Sequence, residues 1–384
     1  MLTSKTLVPA LAAFLLAAPA AYADATQSER IEAKTGAEEP VFEGSIVGTY
    51  QGASDSRINE EASLRPELFV TLPVPGAGGE LHVHIEGTTT PRVNGVTSFL
   101  GNSNTNVGTA TNGAGHGRLQ LSELFYEFEL GSVGLSAGLI DTSAFIDTSA
   151  FANDERTQFM NSSLVHNTTI EFPDYTLGLV LTTQGEGAIP GFTFLAASTS
   201  GLGDNPSHSY PDLFDVRSTG KGLFGAVEAG WGLEGLGEEG ALRLGVWTNT
   251  ADHAYVDLRP GTTTNHGVYG VLEGTAAGNG WSLRAGAADE DASAAEWYFG
   301  AAVQRQLTDE VLIGLGVTET GVNEDLGAGF SDTTEAEIYV KYDVLPYLNL
   351  TPSVQWVRNP GFDDTGAVVD EDNWVYGLRV AFAM

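Results

Sequence analysis

The sequence predicts an all-β chain, a transmembrane antiparallel β-barrel of about sixteen strands in which one long loop folds inward and carries a short helix. Three observations predict it. From Phe42 onward, short segments alternate apolar with polar or small residues, the mark of strands with two unlike faces. The connections alternate too, a tight turn and then a longer polar loop, as a closed barrel in lipid requires. No run of ~18 apolar residues occurs that could form a spanning helix.

The strands are expected, in order, at 42–50, 64–72, 79–88, 118–130, 133–140, 174–183, 191–198 and 221–231. They continue at 241–249, 267–275, 280–287, 296–305, 311–318, 334–342, 347–357 and 373–384. Most reach the ~9–11 residues that a tilted strand needs to cross the hydrocarbon layer. Short turns are expected near 73–78, 131–132, 184–189, 232–240, 276–279, 306–310 and 343–346. Longer loops are expected at 51–63, 89–117, 141–173, 199–220 and 250–266. An even strand number puts both ends of the barrel on the short-turn, periplasmic rim.

The N-terminus reads as a secretory signal over 1–23. Lys5 gives the positive start, Leu7 to Ala18 the apolar stretch, and Ala21-Tyr22-Ala23 the small-residue cleavage site before Asp24. Residues 24–41 are then a short periplasmic segment and 42–384 a single barrel domain. The absence of cysteine excludes a disulfide framework, a thiolate metal site and a lipidated cysteine. Seventeen basic residues face 50 acidic ones, which disfavours nucleic acid as a partner. Two readings of this acidity stay open: solvation of outer loops, and attraction of cations or divalent ions at the mouth. Glycine, at 48, suits lumen-facing positions where a side chain would obstruct.

Period two assigns the faces. In the third strand Leu81, Val83 and Ile85 oppose His82, His84 and Glu86. In the fourteenth, Ala336, Ile338, Val340 and Tyr342 oppose Glu335, Glu337, Tyr339 and Lys341. A charge on the lipid face near the midplane costs ~2–4 kcal/mol for Arg or Lys, so the charged sets point inward. The inward list is Glu43, Arg65, Glu67, His82, His84, Glu86, Glu127, Glu129, Glu228, Arg243, Glu273, Arg284, Glu337, Lys341 and Arg379, with Trp247 and Tyr339 as inward aromatics. Carboxylates and guanidinium forks exchange hydrogen bonds with hydroxyls, and aromatic rings meet sugar C–H faces; the competing reading is a lumen charged merely to stay hydrated. Trp231, Trp281, Trp297, Trp356 and Trp374 are assigned to interfacial girdles. His82, His84 and Glu86 share a face and are a permissible zinc set, though lumen lining is the preferred reading. No cofactor and no catalytic set is expected; a G-x-S-x-G elbow is missing.

The loop at 141–173 runs ~33 residues, beyond what is common for a structureless connection. It opens with a tandem copy, Asp141-Thr-Ser-Ala-Phe145 and then Asp147-Thr-Ser-Ala-Phe151, and residues 154–165 are expected to form the short helix. Asp141, Asp147, Asn153, Asp154, Glu155, Arg156, Gln158 and Asn161 are its candidate constriction residues.

The segments Gly138-Leu-Ile-Asp141, Phe151-Ala-Asn-Asp-Glu155, Thr157-Gln-Phe-Met-Asn161 and Phe172-Pro-Asp174 resemble the carbohydrate-selective porin (OprB-type) family. A second matching block holds Leu350-Thr-Pro-Ser-Val-Gln355, Asn359-Pro-Gly361, and Trp374 to Arg379. The resemblance runs from Phe42 on. It implies a sixteen-stranded channel for passive passage of small saccharides, water and ions across the outer membrane of a Gram-negative bacterium. Lipid and lipopolysaccharide would surround it, and homo-oligomeric assembly, common for such pores, is kept as an expectation. The alternatives are a general cation-preferring porin, a barrel enzyme of the hydrolase or acyltransferase type, and a secreted β-sandwich adhesin.

Overall fold

Sixteen strands pair into one closed antiparallel ring in the computed structural model, which describes residues 39–384 apart from 77, 206, 219, 327–329, 363–367 and 370–371. The expected secretory signal and residues 24–38 lie outside the described residues. The first eight strands are β1 (Val41–Ala53), β2 (Glu61–Val74), β3 (Gly79–Gly87), β4 (Leu119–Leu130), β5 (Val133–Ile140), β6 (Thr176–Thr183), β7 (Gly191–Ser198) and β8 (Leu223–Gly232). Next come β9 (Ala241–Ala254), β10 (Thr262–Ala276), β11 (Asn279–Ala288), β12 (Ala295–Thr308), β13 (Val311–Val322), β14 (Thr333–Leu345) and β15 (Leu348–Arg358). After a two-residue pair, β16 (Gly361–Phe362) with β17 (Val368–Val369), β18 (Asn373–Ala383) completes the ring. It closes where Ser45 on β1 pairs with Ala383 on β18, and Gly44 and Met384 exchange main-chain hydrogen bonds of 2.8 Å.

Each expected strand is present, several longer than the alternation implied. The loop expected at 250–266 shrinks to 255–261, because β9 and β10 run on as a paired ribbon above the barrel, with a register shift between Thr263 and Asn265. Polar residues such as Thr250, Asp252 and His253 hide this extension, since beyond the lipid a strand needs no apolar face. A bulge at His84/Ile85 turns both Ser122 and Glu123 of β4 inward.

Apolar side chains form the outer belt. Leu68, Leu124, Phe194, Val246, Leu283, Phe299, Leu315, Ile338 and Leu378 are exposed, each out of phase with buried neighbours on its strand. Only lipid satisfies so continuous an apolar exterior. The five girdle tryptophans all share the outward phase. Trp231 and Trp281 lie near the short-turn rim, and Trp297, Trp356 and Trp374 near the long-loop rim, with Trp356 opposite Trp374.

The core lies inside the barrel. Phe125, Val180, Leu195, Phe224 and Trp247 point inward from β4 and β6–β9, and Ile140 at the end of β5 packs on them with Ile146 and Ile170 of the inward loop. A second cluster joins Phe159, Leu164 and Val165 of the loop to Ala302 and Tyr339. Glycines clear the seats: a β-carbon at Gly280 would collide with the Phe151 ring, and one at Gly316 with Leu164. The inward loop is thus packed down like a domain core, at a depth fixed by apolar burial.

Its helix is shorter than expected. Among the described residues two four-residue α-helices occur, α1 (Val96–Phe99) and α2 (Ser162–Val165), so the expectation of helix over 154–165 holds only for its last turn. Side chains replace the backbone ladder earlier on. Asp154 accepts from the Arg156 N–H (2.9 Å) and the Thr157 hydroxyl (2.8 Å), while Gln158 Oε1 accepts from the N–H groups of Asn153 and Asp154. Asp, Asn and Thr compete with helical bonding in this way.

Candidate functional site: the lumen and its inward loops

The tandem copies at the head of the loop do different work. In the first, Asp141 Oδ1 accepts from the Ser143 N–H at 2.9 Å and a short 3-10 turn bends the chain into the lumen. In the second, Asp147 adopts φ 57°, its N–H donates to Glu228 Oε2 on β8, and its Oδ2 accepts from the Asn167 N–H at 3.0 Å. The left-handed conformation, uncommon outside glycine, is one that Asp tolerates through local hydrogen bonding.

From there the wall takes hold of the loop amide by amide. Glu273 on β10 accepts from Ser149 Oγ (2.8 Å) and the Ala150 N–H (3.0 Å). Glu337 on β14 accepts from the N–H groups of Met160 and Asn161, and Glu335 from Asn161 Nδ2. Arg284 on β11 donates to Leu164, Val165, Asp147 and Asn153. Arg379 on β18 donates to the Glu155 carbonyl at 2.8 Å, and Arg65 on β2 meets the Glu155 carboxylate at 2.7 Å. The loop therefore crosses the lumen from the β5–β6 side to the far walls.

This changes the role of several residues expected to face solutes. Glu67, Glu86, Arg284, Glu337 and Arg379 do point inward, but all are buried: Arg284, Glu337 and Arg379 in the joint between wall and loop, and Glu67 and Glu86 among ion pairs of the wall itself. Trp247 is inward as well, yet it is only 2% exposed, packed on Phe224 beneath the loop. Arg243 keeps a quarter of its side chain open while pairing with Glu273, and Lys341 sits 3.5 Å from Asp343. Glu43 lies half-buried at the short-turn end of β1, and Glu129 is exposed on that rim rather than inside the bore. In the loop, Asp147, Asp154, Arg156, Gln158 and Asn161 are buried, while Asp141, Asn153 and Glu155 keep open surface.

The β2–β4 wall is densely ionic. Arg65 lies 2.8 Å from Glu67 and 3.3 Å from Glu86; His84 lies between Glu67 (3.4 Å) and Glu123 (3.2 Å); His82 lies 3.3 Å from Glu127. Phe69 stacks on His84 at 4.1 Å, and Phe125 on His82 at 4.7 Å. Glu67, His84 and Glu86 bring ligand atoms within 4.8 Å of one another, the donor set of a metal site. The Arg65 guanidinium already supplies the counter-charge between those carboxylates, so the trio fits an ion-pair network better than a metal. His82, the other member of the permissible zinc set, faces Glu127 instead.

Two contributors were missed from sequence. Glu123 accepts from the Asp141 N–H at 3.2 Å, and period two counted back from Glu127 reaches it. Less legible is a second inward segment, 100–106, from the loop between β3 and β4. Gln51 and Gln355 each donate to the Ser103 carbonyl at 2.9 Å, and Asn104 donates to Thr49 and Gln51. After Leu100, which packs in an apolar cluster, its residues are glycine and polar side chains that do not mark burial.

Between the two inward segments lies a cavity of about 500 Å³, lined by Arg65, Asn102, Thr105, Asp141, Glu155, Glu171, Phe172, Asp174 and Tyr175 among others. Burial and the nearby Glu123 push the Asp141 carboxyl up to about 6, and burial pulls His166 down to about 4. The lining offers carboxylates, a guanidinium, hydroxyls and two aromatic rings around one open space. Such a surface can exchange hydrogen bonds with a hydroxylated solute.

The family model of the carbohydrate-selective porin, OprB family, matches residues 77–384. The chain belongs to that family. Among solved structures, Pseudomonas putida OprB at high pH superposes with a TM-score of 0.66 at 17% identity, covering 90% of this chain and 94% of that one. OmpT of Vibrio cholerae, in its trimer form, gives a TM-score of 0.55 at 12% identity over 90% of this chain and 99% of the other. An uncharacterized protein of Aquifex aeolicus (strain VF5) is 42% identical over 65 residues, 17% of this chain and 21% of that protein. Membership in the OprB family makes this an outer-membrane protein and, with the barrel, implies a channel rather than an enzyme.

Proposed function

We propose that this OprB-family chain is exported by its N-terminal signal and serves in the Gram-negative outer membrane as a passive diffusion channel for small carbohydrates. The loop 141–175 is its constriction. One observation carries this reading: the loop is fixed across the lumen by both walls and borders a polar cavity with aromatic faces. Asp141, Asn153, Glu155, Arg65, Glu127 and Arg243 are the proposed solute contacts on that path. A monosaccharide shedding part of its water shell meets carboxylates and guanidinium forks that replace the lost hydrogen bonds, while Phe172 and Tyr175 accept its C–H faces. Binding stays shallow, because passage requires release as well as capture.

Reconstitution into planar lipid should give stepwise conductance that falls as glucose or a short oligosaccharide is added. Silence at high protein load would overturn the reading. A second reading, a general cation-preferring pore, is favoured by the net charge of −33. It predicts conductance insensitive to sugar. Whether copies associate is tested by mild-detergent electrophoresis against the unfolded chain.

A further inference from the structure

Arg284 stands apart from the other anchors of the inward loop. It rises from β11 with 3% exposure. Its Nη1 donates to the main-chain oxygens of Leu164 (3.0 Å) and Val165 (2.6 Å), and its Nη2 to the Asp147 main-chain oxygen and Asn153 Oδ1 (2.8 Å each). Nε lies 3.6 Å from Asp147 Oδ2. Glu228, Glu273 and Glu337 each grip one stretch of the loop, at Asp147, Ser149–Ala150 and Met160–Asn161 respectively. Arg284 instead ties the descending arm at 147, the turn at 153 and the ascending arm at 164–165 to a single point on the wall.

A planar fork with fixed donor directions can do this, whereas a lysine ammonium reaches fewer of these acceptors at once. Without the fork, three main-chain carbonyls, the Asn153 amide oxygen and the Asp147 carboxylate would lose a partner, and unsatisfied buried groups drive the arms apart toward water. Asn153 and its neighbour Glu155 border the cavity, so their position sets the free width.

We propose that Arg284 is the positioning residue that fixes the height and closure of the inward loop, and thereby the largest sugar that passes. This rests on the channel reading given above. The test is liposome swelling with mono-, di-, tri- and tetrasaccharides for the wild type, Arg284→Lys, Arg284→Met and Asn153→Ala. Heat-modifiable electrophoretic mobility reports the intact barrel in parallel. Arg284→Met should pass a sugar at least one unit larger than the wild type does, with Arg284→Lys in between. Should Arg284→Met not fold, Asn153→Ala removes an acceptor from the loop side alone and should shift the cut-off in the same direction. A wild-type cut-off in the folded variants overturns the assignment while leaving the channel reading intact. A wild type impermeable to every sugar overturns the channel reading itself, and this with it.

Discussion

Asn153 and Glu155, two residues apart, are held by opposite walls: Asn153 Oδ1 accepts from Arg284 on β11 at 2.8 Å, and Glu155 Oε1 meets Arg65 on β2 at 2.7 Å. The span between these contacts is the bridge over the lumen. Arg65 is also the counter-charge for Glu67 and Glu86, so its loss strands three carboxylates beside His84. Arg65→Ala should therefore destabilise the barrel by about 3–5 kcal/mol, the cost of leaving buried charge unpaired. Glu155→Gln, which leaves Arg65 two partners, should cost about 1 kcal/mol or less. Urea unfolding in lipid vesicles measures both, and equal losses would show that Arg65 does not centre the network.

Loop removal tests the bridge directly. Deleting part of 147–165 takes away the segment seated on Glu273 and Glu337 and should raise single-channel conductance while leaving the sixteen-strand ring closed. Unchanged conductance in a folded barrel would place the narrowest point elsewhere, with the segment 100–106 the next candidate.

The barrel was legible because period two is a physical requirement of its two solvents. Leu81, Val83 and Ile85 must meet lipid, and His82, His84 and Glu86 must not, so the pattern carries both topology and face. The interior was less legible, since inward polarity does not say what the polar group meets. Glu337 and Arg284 read as lumen-lining charges; in the fold they hold loop amides and carbonyls. Trp247 read as an inward ring for sugar and lies under Ile146 and Ile170 in an apolar core. A loop that returns to cover its own wall leaves no periodic trace, and side-chain turns such as that at Asp154 suppress the helix that local composition suggests.

Ion preference follows from the charge distribution. With a net charge of −33 and carboxylates such as Asp141 and Glu155 open to the bore, cations should be favoured. The effect should be strongest in dilute salt, where the Debye length reaches ~30 Å at 0.01 M and spans the pore, and should fade near 1 M at ~3 Å. A reversal potential on the anion side across a potassium chloride gradient would contradict it.

The rim above β5 and β6 should respond to pH. There the Asp174 N–H donates to Asp204 Oδ2 at 2.8 Å, and the Leu202 N–H donates to the Tyr175 carbonyl at 3.0 Å, clasping the loop 199–222 to the end of the inward loop. Burial, then repulsion from Asp204, Glu86 and Asp141, holds the Asp174 carboxyl well above its usual range, with Arg65 opposing; burial pushes Asp204 up to about 6, with Glu171 and His208 also facing it. Both folded values exceed the ordinary 3.8, so the clasp is fully stable below that pH and loses stability as pH rises through about 6. Asp204 is open to water on one side, which screens part of the repulsion. Hydrogen exchange at the Leu202 amide, corrected for its intrinsic rate, should rise roughly tenfold between about pH 4 and pH 8. Asp204→Asn should flatten this rise, since the amide oxygen still accepts from Asp174 but carries no charge. Equal protection at both pH values in the wild type would show that the two carboxyls do not govern the clasp.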